Sequence, residues 1–592
     1  MLITAKAITE DAYVVALAAA LRVPFEPLDR MPRATCPLHD DQLIDAEKTG
    51  LLPLHIAGEF IYVIAPQGLT ARRLMTGAHP LPSARIRLTS PRRLRQFVLR
   101  HAGLALGERA AEALRAARPE LSAARPFRFG TAALAGSAAL AGVTIVFPGI
   151  AWALASSALA LTFLAWTGLR LLGAATTWRA WRALRPPPDR LPVYTIIIAL
   201  YDEAAALPGL IAALRELDYP HEKLQILLAL EPDDFATRDA ISALNPGPPF
   251  EIAIAPDAGP RTKPKALNAA LALARGTFTA VFDAEDRPAP DQLRRALDAF
   301  LTQDQALACV QARLTIDNTS DGWLAQLFTA EYAGQFDVLL PGLSERRLPL
   351  PLGGSSNHFR TATLRDVGGW DPYNVTEDAD LGMRLARFGY RTAMIGSTTY
   401  EEAPARVAPW LRQRTRWFKG WMQTWSVHTR HPVRLARELG FGGFAMFQLV
   451  VGGTVLSALV HPLFIALMAY SLATGRLLPA GGDLMAALLA ALSGGALVAG
   501  YLVSAALGLI GLKRRKLLAH AWVLLLMPLH WLLLSAAAWR ALYQLARDPY
   551  RWEKTAHGLA RTSRLAQRTP VRTIIGLRGS SAAPRRLPRA VA

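Results

Sequence analysis

With 592 residues, 52% of them hydrophobic and only 19% charged, the chain is too apolar for an ordinary soluble protein and long enough for two or three domains. A net charge of +20 beside long apolar runs fits the cytoplasmic face of a membrane, while no zinc pattern and no alternation of basic and aromatic residues points to nucleic acid. Only Cys36 and Cys309 occur, far apart, which argues against a disulfide framework or a Cys-rich metal site.

The first residues, M-L-I-T-A-K-A-I-T-E-D, lack a secretory apolar core, so the N-terminal part is expected to stay inside the cell. Residues 1–120 read as a small soluble α+β unit. Asp11–Val23 has helical periodicity, L-L-P-L-H-I-A-G-E-F-I-Y-V-I-A (51–65) reads as a hairpin, and Pro91–His101 as a basic helix. Through that hairpin and I-R-L-T-S-P-R-R-L, the unit resembles the N-terminal domain of type II secretion ATPases. The opening R-L-G motif through which some relatives of that domain bind cyclic di-GMP is not found, so the resemblance implies a fold and no ligand.

Residues 129–173 hold two apolar runs, each about 20 residues and broken near Phe147-Pro148-Gly149, enough to cross the roughly 30 Å hydrocarbon core twice. Arg179, Arg182, Arg185 and P-P-P (186–188) then form a stiff, basic return to the cytoplasm. From 190 to 430 strand and helix patterns alternate. T-I-I-I-A-L (195–200), I-L-L-A-L (226–230), I-A-I-A (252–255) and T-A-V-F-D (279–283) each precede a helical stretch. Short apolar strands with crossover helices predict an α/β domain, a mostly parallel sheet covered on both faces.

Four constellations in this domain carry chemistry. T-A-V-F-D-A-E-D-R-P ends an apolar strand in Asp283, Glu285 and Asp286, and carboxylates beyond a strand's carboxyl end suit a hard cation holding a phosphate, although a solvated acidic turn reads the same way. Lys263 and Lys265 open a helix, where cations oppose the dipole and an anionic partner would explain them. Thr376-Glu377-Asp378-Ala379-Asp380 precedes an amphipathic helix, as a cap or as the source of a general base. Gln413, Arg416 and Trp417 share a helical face, suited to phosphate and a sugar ring. Trp417, Trp421 and Trp425, with Trp410 near the same stripe, also suit a helix lying at a membrane interface.

In order, A-L-Y-D-E (199–203), L-E-P-D-D (230–234), K-P-K-A-L-N (263–268), F-D-A-E-D-R-P (282–288), G-G-S-S-N-H-F (353–359), T-E-D (376–378) and Q-R-T-R-W (413–417) resemble family 2 glycosyltransferases of the membrane-embedded, processive kind, such as cellulose, chitin and hyaluronan synthases, over about 190–555. The resemblance implies a GT-A nucleotide-diphospho-sugar transferase domain inserted between transmembrane helices, a UDP-linked donor, Mg²⁺ or Mn²⁺, and inversion at the anomeric carbon. It implies metal ligation by Asp283 and Glu285 and a general base at Asp378 beside Glu377. Donor contacts would come from Asp202, Glu203, Glu231, Asp233, Lys263, Lys265, Asn268, Arg414 and Arg416. Acceptor contacts would come from Gly354, Ser355, Ser356, Asn357, His358, Gln413 and Trp417. Glu231 and Glu285 stand where relatives often have Asp.

Apolar runs near 441–475, 484–511 and 517–541 give the C-terminal membrane part, 441–546, with Lys513-Arg514-Arg515-Lys516 as a cytoplasmic turn. From Leu559 the tail carries eight arginines and no acid, so it is expected in the cytoplasm, yet three full spans would leave it outside. Either 517–541, with Pro528, re-enters or lies in the interface, or 441–475, with Pro462, folds as two segments. Within the tail (547–592), Trp552, Lys554 and Thr555 stand where processive synthases carry a gating segment. The whole predicts a multi-pass protein of a bacterial-type inner membrane, its catalytic and N-terminal domains cytoplasmic. It would elongate a β-linked polysaccharide and thread it outward, with membrane lipids and export or secretion proteins as partners. Single-sugar transfer to a lipid-linked acceptor, or an inactive scaffold of an export assembly, are the alternatives.

Overall fold

The computed structural model describes residues 3, 7–56, 58–66, 70–77, 85–125, 144–176, 186–474, 484–550, 553, 560 and 562. Most of the first expected span, the basic linker, the gating residues Trp552, Lys554 and Thr555, and nearly all of the arginine-rich tail lie outside the described residues.

The N-terminal unit runs α1 (Glu10–Leu21), α2 (Asp40–Thr49), β1 (Leu51–Ile56), β2 (Glu59–Ile64), α3 (Thr70–Met75), β3 (Ile86–Leu88) and α4 (Pro91–Ala117). The hairpin β1–β2 is antiparallel and β3 joins β2 in parallel. Ser90 caps α4 through the Arg93 amide. The helix does not stop at His101 as expected but bends at Ala102 and continues to Ala117. Leu106, Ala110 and Leu114 keep the apolar period going; Leu106 stays in the core of the N-terminal unit, while Ala110 and Leu114 pack on the following domain. One long helix, α5 (Pro148–Ala174), leads into that domain.

The domain continues as β4 (Tyr194–Leu200), α6 (Leu207–Arg215), β5 (Leu224–Leu230), α7 (Phe235–Leu244), β6 (Phe250–Ile254), α8 (Lys263–Ala272), β7 (Phe278–Phe282), β8 (Arg287–Pro288), α9 (Gln292–Thr302), β9 (Leu307–Ile316), α10 (Trp323–Gly334), α11 (Leu340–Glu345), β10 (Asn357–Arg360), α12 (Thr361–Asp366), α13 (Glu377–Arg387), β11 (Arg391–Glu401) and α14 (Val407–His428). Its eight strands form one sheet in the order β6-β5-β4-β7-β10-β9-β11-β8. The half from β6 to β7 is parallel, with β5 and β7 buried at every position, as a sheet covered on both faces requires. The other half corrects the expectation of a mostly parallel sheet. β10 runs antiparallel to both β7 and β9, and β8 antiparallel to β11, so the sheet is mixed. N-H-F-R carries too few apolar residues to read as a strand, yet it lies in the middle of the sheet.

Four helices follow: α15 (Pro432–Phe447), α16 (Gly453–Ala473), α17 (Leu484–Arg514) and α18 (Met527–Arg547). Among the described residues, four helical stretches are long and apolar enough to cross a membrane: 148–174, 432–473, 484–514 and 518–547. Large apolar side chains such as Trp152, Leu161, Leu502 and Leu525 point outward from them. Pro462 sits inside a continuous α16 and does not divide it. Both ends of 518–547 lie against the sheet domain. On one side Arg515 pairs with Asp337 and donates to the Leu314 carbonyl at 2.9 Å. On the other, the Pro549 carbonyl accepts from Gln423 at 3.0 Å. This segment therefore runs along the domain instead of leading away from it.

Candidate active site

The parallel half of the sheet brings its motif turns together at the strands' carboxyl ends. β7 stops at Phe282, so Asp283–Asp286 is a turn, closed by the Asp286 amide on the Asp283 carbonyl at 3.2 Å. Asp283 and Glu285 line a cavity of about 570 Å³, while Asp286 turns inward and is fully buried. There Asp286 accepts from the Asp283 amide at 2.6 Å and from the Ser355 hydroxyl. Burial, then the charges of Asp283 and Glu285, push its carboxyl well above the usual range.

The two lysines of K-P-K separate. Lys263 reaches the cavity, 2.5 Å from Asp283 and 3.0 Å from the Gly354 carbonyl. Burial opposes its charge, but Asp283 and then Glu377 hold the ammonium above its ordinary value. Lys265 is a correction to the expected donor contact. It is fully buried and spent on Glu231 at 2.8 Å.

T-E-D opens α13, and the two aspartates there also part. Asp380 is fully buried between Arg384 (2.8 Å) and His428 (3.0 Å), and these partners outweigh burial and keep its carboxyl low. Asp378 is half-buried and faces the cavity. Burial and neighbouring Glu377 push it up to about 7. Gly354 lies between this acid and the metal-type turn, since a Cβ there would come 3.3 Å from the Asp378 carboxylate.

α14 is fitted onto the T-E-D turn. A Cβ on Gly420 would sit 2.3 Å from the Thr376 hydroxyl, and Gln423 accepts from the Val375 amide at 3.1 Å. The same helix presents Gln413, Arg416 and Trp417 to the cavity. The Gln413 side-chain oxygen is buried without a hydrogen-bond partner. Trp417 lies parallel to Tyr332 at 6.4 Å. Trp410, expected on an interfacial stripe, is instead fully buried beneath Arg414.

Other expectations are corrected by the geometry. Arg414 lines the cavity, but both terminal nitrogens hold Glu331, at 2.8 and 2.6 Å. Asn268 spends its amide on the Ala110 and Trp370 carbonyls, and its oxygen on the Trp370 amide at 2.9 Å. His358 is buried in β10, its Nδ1 2.8 Å from the Tyr194 hydroxyl, and burial lowers it to about 3. Asn357 and Ser356 lie in the same core, Ser356 bonded to Thr399 at 2.5 Å. Asp233 forms an outer pair with Arg261 at 2.7 Å. Asp202 adopts a left-handed backbone (φ 54°), its amide on Asp234 at 2.7 Å, and does not line the cavity, whereas Glu203 and Glu231 do.

Sequence reading missed Glu401 and Glu402, which line the cavity from the end of β11. The signal was there, because Y-E-E ends an apolar strand as F-D does. It also missed Tyr332, Glu331, Trp166 and Arg170, which only the packing of distant helices brings to the site.

Among the described residues no three His, Cys, Asp or Glu side chains form a metal cage. Asp283 and Glu285 supply hard oxygen donors, a partial set that fits a divalent cation arriving with a diphosphate, which would contribute the remaining oxygens.

Residues 191–420 match the sequence profile described as "Glycosyltransferase like family 2", and this segment is a family 2 glycosyltransferase domain. Among curated proteins, the chain is 25% identical to "Probable glycosyltransferase YdaM" of Bacillus subtilis (strain 168), over 39% of this chain and 55% of that protein. It is 27% identical to "Probable glucomannan 4-beta-mannosyltransferase 1" of Arabidopsis thaliana, over 39% and 43% respectively. It is 25% identical to "Beta-monoglucosyldiacylglycerol synthase" of Synechocystis sp., over 43% and 54%. The chain thus spans about half the length of the curated relatives it matches. Among solved structures, the mannosyltransferase PcManGT from Pyrobaculum calidifontis in complex with GDP-Man and Mn²⁺ aligns at 21% identity and TM-score 0.40, over 64% of this chain and 97% of that one.

Proposed function

We propose that this protein is a membrane-bound inverting hexosyltransferase that moves a sugar from a nucleotide-sugar, a UDP-sugar in the first instance, to the end of a growing β-linked polysaccharide coupled to its translocation. The observation that carries the reading is Asp378: one acid of T-E-D, raised to about 7, facing the same cavity as Asp283 and Glu285. Transfer without a covalent intermediate needs a base on the acceptor hydroxyl, and a pKa near the working pH suits that task. Gln413 and Trp417 would orient the acceptor sugar against Asp378. Arg416 and Lys263 would face the diphosphate, with Lys263 exchanging Asp283 for phosphate oxygens. Mg²⁺ or Mn²⁺ held by Asp283 and Glu285 would neutralise charge on the leaving diphosphate.

The outward apolar faces of the long helices support a membrane setting, and the basic turn 513–516 supports an orientation. Its Arg515 grips Asp337 of the sheet domain, so a cytoplasmic turn carries that domain with it. On this reading 518–547 lies in the interface, which leaves the arginine-rich tail in the cytoplasm. To the N-terminal unit we extend the resemblance to the secretion ATPase domain that its sequence carries.

A lipid-linked acceptor is the second reading. It is favoured by the apolar part of the cavity lining, which includes Leu507, Met527 and Leu534.

The test supplies membranes containing the protein with labelled nucleotide sugars and Mg²⁺ or Mn²⁺. Label in a long polymer supports the first reading, and label in a single-sugar lipid the second. No turnover with any donor would reduce the protein to a scaffold.

A further inference from the structure

We propose that Arg170 forms a second binding position in the cavity, one that takes the phosphate of a lipid acceptor. This rests on the reading that the acceptor enters through the cavity from the side of the long apolar helices.

Arg170 is the one charged residue of α5, 148–174. It stands a turn from the helix's C-terminal end, where Gly173 packs against Leu339 and Gly342 of the sheet domain. That is the depth at which a lipid headgroup would meet the catalytic domain. A charge in an apolar span is costly unless it is paired or faces a polar cavity, so its partner is the question to ask. Among the described residues Arg170 makes no ion pair, and Glu331 acts on it only through space. One terminal nitrogen donates to the Ser504 hydroxyl at 2.7 Å, and the guanidinium lies over the Trp166 ring at 5.0 Å. Its Nε is buried with no acceptor.

The other charges of this end of the cavity do not fill the gap. Glu331 is already held by both terminal nitrogens of Arg414. His530 stands 3.6 Å from the same carboxylate and adds no anion. Glu331 is thus committed to Arg414, and Arg170 keeps a guanidinium with no ion pair among the described residues. A guanidinium edge matches phosphate oxygens two at a time, so a phosphate monoester or diester supplies the missing anion and the missing acceptor for Nε. Leu507, Gly508 and Leu534 line the same cavity and offer surfaces for hydrocarbon. A phosphate and an alkyl chain on one molecule satisfy both ends, and a neutral glycan satisfies neither.

The experiment measures binding by the full chain in detergent, without donor, using farnesyl monophosphate against farnesol, which share one hydrocarbon chain. Wild type should hold the phosphate form at least about 10-fold more tightly, and Arg170→Gln should lose that preference, as expected for one charge-assisted contact. Arg170→Lys should keep part of it. Should the Gln variant fail to fold, Arg170→Lys and Ser504→Ala, which retain the charge, still test whether the guanidinium geometry sets the preference. Equal binding of farnesol and its phosphate, or an unchanged preference in Arg170→Gln, overturns the proposal. So does competition by inorganic phosphate alone at equal strength, which would mean a free-anion site, or by a uronate-bearing oligosaccharide, which would mean an acidic glycan. Since no donor is present, phosphate-lipid binding together with absent sugar transfer would leave this site standing and remove the enzymatic reading. Transfer without the preference would do the opposite.

Discussion

Two acidic turns face one cavity, and each divides its acids in the same way by different means. At Asp283–Asp286 the inward acid is held by a backbone amide and a serine hydroxyl, neutral donors that leave its carboxyl raised. At Thr376–Asp380 the inward acid is held by Arg384 and His428, and its carboxyl stays low. The first turn therefore tolerates a proton on its buried acid, and the second requires a charge. What the pair teaches is that an acid-rich motif does not say which acid meets the substrate. The acid with the better internal partners is the one withdrawn from chemistry.

Four substitutions or titrations would break or sharpen that contrast. Asp378→Asn should lower sugar transfer by about 10²–10⁴-fold while donor binding, followed by calorimetry, stays within twofold. Wild-type turnover in the purified variant would remove Asp378 as the base. Asp380→Ala strips the buried Arg384 of its carboxylate and should cost about 3–5 kcal/mol in unfolding free energy, read as a lowered denaturant midpoint. The pH profile of transfer should follow Asp378. Its raised value means the base is protonated as pH falls below about 7, so kcat/KM should drop roughly tenfold per unit there and level off above. The smallest effect belongs to Asp286→Asn. A neutral amide oxygen can still accept from the Asp283 amide, so stability should change by only about 1 kcal/mol. A loss as large as that of Asp380→Ala would mean the two turns are built alike after all.

The strands that carry the motifs were legible because sheets covered on both faces need unbroken apolar runs, as in I-L-L-A-L (226–230). The acids at their ends were legible for the same reason. What aligns them was not. Alternation along an extended strand predicts Asp283 and Glu285 on one side, but the strand has ended by then and a turn sets their directions. In G-G-S-S-N-H-F, Gly354 and Ser355 do line the cavity, but His358 depends on a residue far away in the chain: it is a core partner of Tyr194, not an acceptor contact. Lys265, Asn268 and Arg414 went the same way, each answered by a partner that no local pattern announces. Arg170 carried a local signal, a lone charge in an apolar run, and its meaning appears only when Ser504 and Trp166 are seen beside it.

The bent helix α4 has a consequence for anyone shortening this protein. Its second half supplies the Ala110 carbonyl to Asn268 and the Glu112 carboxylate to the Tyr373 hydroxyl. Arg95, from its first half, ties Glu47 to Glu251. A boundary cut at residue 120 would look clean by composition, yet it would strip hydrogen bonds from the helix that carries Lys263 and from the loop ahead of Asp378. The first hundred-odd residues belong to the casing of the donor site, and a trimmed enzyme should be judged by its donor affinity before its N-terminal unit is declared dispensable.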